Sequence, residues 1–192
     1  MRMLPPSTAL LLPVLLALPG AALAEAATGN QGPQQKIQVA FVLDTTGSMA
    51  DLIEGAKQKI WSITNTMLDV NPDADISMAL IGYRDRGDDY VTLPHHMTHD
   101  LQGLYSDLRR FTADGGGDTP ESVNEALEAA VRGQDWIEGA DTRRIIFLVG
   151  DAPPHMDYRG APRYSEVIAE ARKKGIIVNT IQAGDDPETR EY

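Results

Sequence analysis

The stretch "VAFVLDTTGSMADLI", Val39–Ile53, decides how the chain is read. An apolar run leads straight into Asp44. Two threonines, a glycine and a serine follow, and then an amphipathic pattern begins. A short apolar run bounded by turn residues reads as a buried strand. A buried strand that ends on a carboxylate, with hydroxyls crowded behind it, suits two chemistries. One is a metal site; the other is an aspartate that attacks phosphorus.

The flanking sequence supplies the architecture. Ile37–Leu43 reads as the first strand. Leu52, Ala56, Ile60, Ile63 and Met67 recur at helical spacing, so a helix is expected from Ser48 to about Asp69. "NPDAD" is a turn, Ile76–Tyr83 a second apolar strand, and "RDRGDD" a charged loop. Tyr90–Leu93 has the look of a short edge strand. Leu101, Leu104, Tyr105, Leu108 and Phe111 mark a second helix, which "DGGGDTPE" breaks. Thr119 is placed to cap a third helix, with Pro120 in its first turn. Val123, Leu127, Ala130 and Val131 form its inner face. Arg144–Val149 is a third buried strand, Tyr164–Lys174 a helix stopped by Gly175, and Ile176–Ile181 a fourth long strand. Strands that alternate with helices and are apolar on both faces imply an α/β fold: a mostly parallel central sheet with helices on both faces.

Composition narrows the partners. The formal net charge is −11, which disfavours nucleic acid and anionic lipid and suits cations. The chain has no cysteine, so packing, or packing plus metal, must hold it. Residues 1–24 have the form of a secretory signal peptide: Arg2, the apolar run Ala9–Leu18, and "ALA" at Ala22–Ala24. The run is shorter than the roughly 20 residues of a spanning helix, so no membrane insertion of the mature chain is expected. Residues 25–36 read as a flexible leader and 37–192 as one domain. No cysteine follows the apolar run to carry a lipid, so the expected location is the bacterial periplasm, with secretion as the other exported fate.

Ligands of open parallel sheets bind outside the carboxyl ends of the strands. Here those ends carry Asp44-Thr45-Thr46-Gly47-Ser48, then Tyr83-Arg84-Asp85, then Gly150-Asp151. The break between helices adds Gly115-Gly116-Gly117-Asp118-Thr119. Carboxylates brought together repel, and a hard divalent cation with oxygen ligands removes that cost. Thr46 and Ser48 suit such a site as neutral oxygen ligands.

Asp-x-Thr-x-Ser after an apolar strand, "GGGDTPE" and "LVGDAPPH" together resemble a von Willebrand factor A domain, over about Ile37–Ala183. The two later motifs are similar to a bacterial exported subgroup of that family. The resemblance implies a Rossmann-like fold and a metal-ion-dependent adhesion site. It implies a non-catalytic module that binds a protein partner through one divalent ion, with Mg2+ expected and Mn2+ or Ca2+ able to substitute. The metal ligands it implies are Asp44, Thr46, Ser48, Asp118 and Asp151. The family's middle loop supplies a threonine. Asp118 falls at that position with Thr119 beside it, and Asp118 is preferred because carboxylates bind hard cations well. Three ionised aspartates would leave a divalent ion's site with one negative charge in excess, which favours a structural or calcium-tolerant ion over one that recruits an acidic partner. The family continues with further helices and a last strand, so a domain truncated at its C-terminal end is expected.

The rival chemistry resembles haloacid dehalogenase phosphotransferases, which also place Asp-x-Thr-Gly-Ser after a buried strand. Asp44 would then be the nucleophile and Asp151 would hold magnesium. That reading lacks a suitably placed lysine, and His155 stands where a second acid is usual. A third class is a structural domain with an empty or purely structural site. "HHMTH", His95–His99, reads as solvent-facing loop rather than a zinc site, and His155 as a loop-packing residue. Arg86–Asp88 spells "RGD" within a solvated loop, where Tyr83, Arg84, Asp85 and Asp88 would rim the metal edge.

Overall fold

The computed structural model describes residues 34–192; the expected signal peptide and all but the end of the leader lie outside the described residues. Five strands form one sheet in the order β3-β2-β1-β4-β5. They are β1 (Lys36–Asp44), β2 (Asp75–Tyr83), β3 (Thr92–Thr98), β4 (Thr142–Gly150) and β5 (Ile176–Gln182). All pairs are parallel except β2 with β3, which is antiparallel. The helices are α1 (Ile53–Val70), α2 (Leu101–Arg110), α3 (Val123–Val131) and α4 (Tyr164–Lys173). Among the described residues no helix is long and apolar enough to cross a membrane.

The near-continuous apolar strands follow from burial on both faces. In β1, Val39, Phe41 and Leu43 face Ile53 and Ile60 of α1 and Leu104 and Leu108 of α2. The alternate residues Ala40 and Val42 face Val123, Ala126, Leu127 and Ala130 of α3 and Val167 of α4. Phe41 stacks on Phe147 of β4 with ring centroids 5.5 Å apart. Polar β3 is an edge strand, which is why it tolerates Pro94.

Three local expectations change. The edge strand runs on through His95 and His96, expected as loop, and stops at Thr98, just before His99. His95 pairs with Asp107 and His99 with Asp75, so the group is split along the sheet edge. The helix expected from Ser48 begins instead as a 3-10 turn, Gly47–Asp51, anchored by fully buried Met49. Thr119 does not cap α3, whose N-cap is Ser122. The Glu121 N–H donates to Pro153 and the Glu121 carbonyl accepts from the His155 N–H, so the chain stays extended there.

Strand order reverses at β1: β2 and β3 lie to one side, β4 and β5 to the other. Such a switch point opens a crevice at the carboxyl ends of the two central strands. Here those ends are Asp44 and Gly150-Asp151.

Phe41→Ala should lower the unfolding free energy by about 3–5 kcal/mol, as deletion of a buried aromatic does. Urea denaturation of the two proteins would measure it, and a loss below about 1 kcal/mol would contradict the central position of β1.

Candidate metal centre

Asp44 is fully buried at the end of β1, level with Tyr83 in the register. Its Oδ1 accepts from the Thr46 backbone N–H at 2.9 Å and from the Thr46 hydroxyl at 2.7 Å. Among the described residues its Oδ2 has no hydrogen-bond partner. The Tyr83 hydroxyl is close enough to help hold the Asp44 pKa down, although it makes no hydrogen bond to Oδ2. The Ser48 hydroxyl donates to Asp151 Oδ1 at 3.0 Å, and the Thr46 and Ser48 oxygens are 3.1 Å apart. Each hydroxyl carries one hydrogen, and both are spent on carboxylates. Two oxygens therefore face each other through lone pairs, next to a carboxylate oxygen without a donor. That is an arrangement a cation stabilises.

The crevice is tightly built. A Cβ on Gly150 would lie 2.3 Å from the Tyr83 hydroxyl and 3.1 Å from Asp44 Oδ2. The glycine loop is clasped from two sides. Gly47 N–H donates to the Gly115 carbonyl, Asp114 N–H to the Thr45 carbonyl, and Gly116 N–H to Asp88 Oδ2. Gly115 and Gly116 have φ of 73° and 72°, the left-handed region that favours glycine.

Four of the five sequence-derived candidates, Asp44, Thr46, Ser48 and Asp151, thus lie in one contiguous run of oxygens. Asp118 lies elsewhere. Its carboxylate is exposed, and its Oδ1 is 3.9 Å from His155 Nε2, which in turn is 3.5 Å from Asp85 Oδ2. The acid that the middle loop buries is Glu121, 2% exposed, with an unpartnered Oε2. A Cβ on Gly116 would lie 3.0 Å from Glu121 Oε1 and 3.4 Å from Thr46 Cβ, so Glu121 borders the Asp44 run. Sequence reading passed over Glu121. The usable signal was its place directly after Pro120, where an extended backbone turns one side chain inward.

A profile of the von Willebrand factor A domain matches residues 38–191. The chain belongs to the von Willebrand factor A domain family. Hemicentin-2 of Mus musculus is 30% identical over 91% of this chain. The von Willebrand factor A domain-containing protein 7 of Rattus norvegicus is 36% identical over 48%. An ariadne-like RING finger protein of Acanthamoeba polyphaga mimivirus is 28% identical over 64%. The chain spans only 3%, 10% and 12% of those three proteins. Among solved structures, proximal thread matrix protein 1 from the mussel byssus has the same fold, with a TM-score of 0.58 at 16% identity over 79% of this chain and 37% of that one. A further structure of that protein, also at TM-score 0.58, has a zinc-occupied MIDAS motif.

Acids dominate the electrostatics of this von Willebrand factor A domain. Burial pushes the Asp44 carboxyl up to about 6; the Thr46 hydrogen bonds oppose the rise and nearby Asp151 adds to it. Burial, then the charges of Asp44, Asp85, Asp88 and Asp118, push Glu121 up to about 8. A carboxyl with a raised pKa holds its proton more tightly folded than unfolded. Above about pH 4 the unfolded chain ionises freely while the folded one does not, so stability falls until pH passes the folded value. With metal removed by chelator, the melting temperature should therefore decline between about pH 4 and 8, Asp44 contributing roughly 3 kcal/mol of the lost stability below about pH 6. Glu121→Gln should remove the decline between about pH 6 and 8. Scanning calorimetry across that range, with an unchanged slope in the variant, would contradict the burial of an ionisable Glu121.

Proposed function

We propose that the domain is a non-catalytic protein-binding module built around one divalent cation, held by Asp44, Thr46, Ser48 and Asp151. Glu121 takes the middle-loop position for which the sequence suggested Asp118 or Thr119. The observation that carries this reading is the buried, partnerless Asp44 Oδ2 beside two hydroxyl oxygens whose hydrogens are already committed. Oxygen-only ligands favour a hard ion, so magnesium is the first choice and manganese or calcium can replace it. The zinc-occupied MIDAS motif of the mussel protein supports a metal at such a position in this fold. The ion neutralises the converging acids, ties the loops after β1 and β4 to the glycine loop, and offers its remaining coordination to a partner protein.

The phosphotransferase alternative gains nothing from the geometry. A nucleophilic aspartate must meet its substrate, whereas Asp44 is fully buried and its neighbours are acids that repel phosphate. Aryl phosphate turnover that needs magnesium and is lost in Asp44→Asn would restore that reading. The form of residues 1–24 supports export, with the periplasm as the proposed site of action; fractionation of the expressed chain tests it.

Because Glu121 is raised to about 8, it is largely protonated at pH 7, and a cation that recruits it must displace that proton. Magnesium binding at pH 7 should release about one proton, and close to none in Glu121→Gln. Calorimetric titration in buffers of different ionisation enthalpy reads this directly. No buffer dependence in the unaltered protein would remove Glu121 from the site.

Partner binding is tested by capture from an exported-protein fraction, with and without chelator, using the unaltered chain and Asp44→Ala. Proteins retained only by the unaltered chain with metal present are expected. The same set in all four samples would overturn metal-dependent recognition. A melting temperature that rises with magnesium in the unaltered chain and not in Asp44→Ala ties the effect to the ion.

A further inference from the structure

We propose that His155, Asp85 and Asp118 form a second metal site, selective for zinc or a similar borderline ion, on the same edge as the Asp44 site but sharing none of its ligands. One ligand atom from each of the three residues lies within 4.8 Å of the others. They arrive from three loops, after β2, before α3 and after β4.

The histidine carries the argument. Its side chain is only 3% exposed, and among the described residues Nε2 has no hydrogen-bond partner. Nδ1 is 2.8 Å from Asp157 Oδ1, and that bond holds the Asp157 carboxyl below the usual range. A carboxylate only accepts, so the Nδ1 hydrogen belongs to this bond and Nε2 is the ring atom left to ligate a cation. Nε2 faces Asp85 Oδ2 at 3.5 Å and Asp118 Oδ1 at 3.9 Å. Three electron-pair donors meet with no hydrogen aligned between them, and a buried acceptor left so is costly unless a cation joins it. The carboxylate–histidine pair is also the orientation that metal-binding imidazoles take from their supporting shell.

The surroundings fix two of the three ligands. The ring stacks on Tyr158 at 3.7 Å and 12°. The His155 N–H donates to the Glu121 carbonyl, and the His155 carbonyl accepts from Asn124. Asp85 is 5% exposed; its Oδ1 accepts from Ser122 at 2.9 Å and its Oδ2 from Tyr158 at 2.6 Å. Asp118 is exposed and follows three glycines, so it can close the last distance. Zinc bonds of about 2.0–2.2 Å put tetrahedral ligand atoms roughly 3.4 Å apart, near the 3.5 Å found between His155 and Asp85. One imidazole nitrogen with two carboxylates suits zinc, cobalt or manganese better than magnesium. With three protein ligands, a fourth position stays open to water or to a partner's side chain.

The test uses the whole chain, stripped of metal, in excess magnesium to fill the Asp44 site. Zinc uptake is measured by equilibrium dialysis and elemental analysis, and cobalt by its visible absorption. One zinc per chain is expected, retained in Asp44→Asn. Asp118→Asn alters only an exposed side chain, so folding should not suffer. Because loss of even a supporting residue weakens metal sites by about 10–100-fold, Asp118→Asn should weaken zinc at least about tenfold, and His155→Gln should abolish uptake. No zinc uptake in the presence of magnesium would overturn the second site. So would zinc that disappears in Asp44→Asn and persists in Asp118→Asn, because the ion would then belong to the first site.

Discussion

A carboxylate buried at the end of the central strand is the constraint on which the rest of this domain depends. Asp44 is fully buried and cannot be solvated, and its pKa rises because of it. Thr46 supplies both donors to Oδ1; among the described residues no hydrogen bond reaches Oδ2. The loop after β1 is then locked from outside. The Thr45 hydroxyl donates to the Tyr83 carbonyl, and the Thr45 carbonyl accepts from Arg84 and from the Asp114 N–H. The glycine loop is drawn against β1 by the same contacts. A strand end that would ordinarily fray is held rigidly around one unsatisfied oxygen.

The glycine loop and the loop after β4 are interlocked in turn, and this decides which acid faces inward. Asp88 Oδ2 accepts from the N–H groups of both Asp85 and Gly116. Glu121 uses its N–H and its carbonyl on the 153–155 segment. With the backbone pinned at both places, Glu121 is driven towards Asp44 while Asp118 is left at the surface beside His155. One loop thereby serves two neighbouring clusters of different chemistry, one all oxygen and one containing an imidazole.

How much of this was legible follows from periodicity. The four long strands are apolar on both faces, and that alone identifies a covered parallel sheet. Parallel strands end on one edge, so Asp44 and Asp151 could be paired from their positions relative to Val42 and Leu148, and Thr46 and Ser48 came with them. The middle loop offered no such ruler. "GGGDTPES" has no repeat, and choosing among Asp118, Thr119 and Glu121 depends on a single bridge between residue 121 and Pro154. His155 looked like packing for a related reason: its ring is indeed packed, but the carboxylates its free nitrogen meets lie 37 and 70 residues earlier in the chain. Polar β3 was cut short because a half-exposed edge strand lacks the apolar run that marks the others.

Two arginines near this edge, Arg84 and Arg86, are already committed elsewhere. Arg84 is buried; it donates to the Thr45 and Thr112 carbonyls and lies over the Tyr90 ring, reaching Asp89 only at 3.7 Å. Arg86 is bound to Glu125 and lies over Tyr158. Burial, and then the charges of Asp44, Asp85, Asp88 and Asp118, push Glu121 up to about 8. A domain that answered this with lysines would fill the crevice with its own side chains and close it. Leaving the charge uncompensated keeps the crevice open at Ser48 and Asp151, which is what the proposed ion and the proposed partner both require.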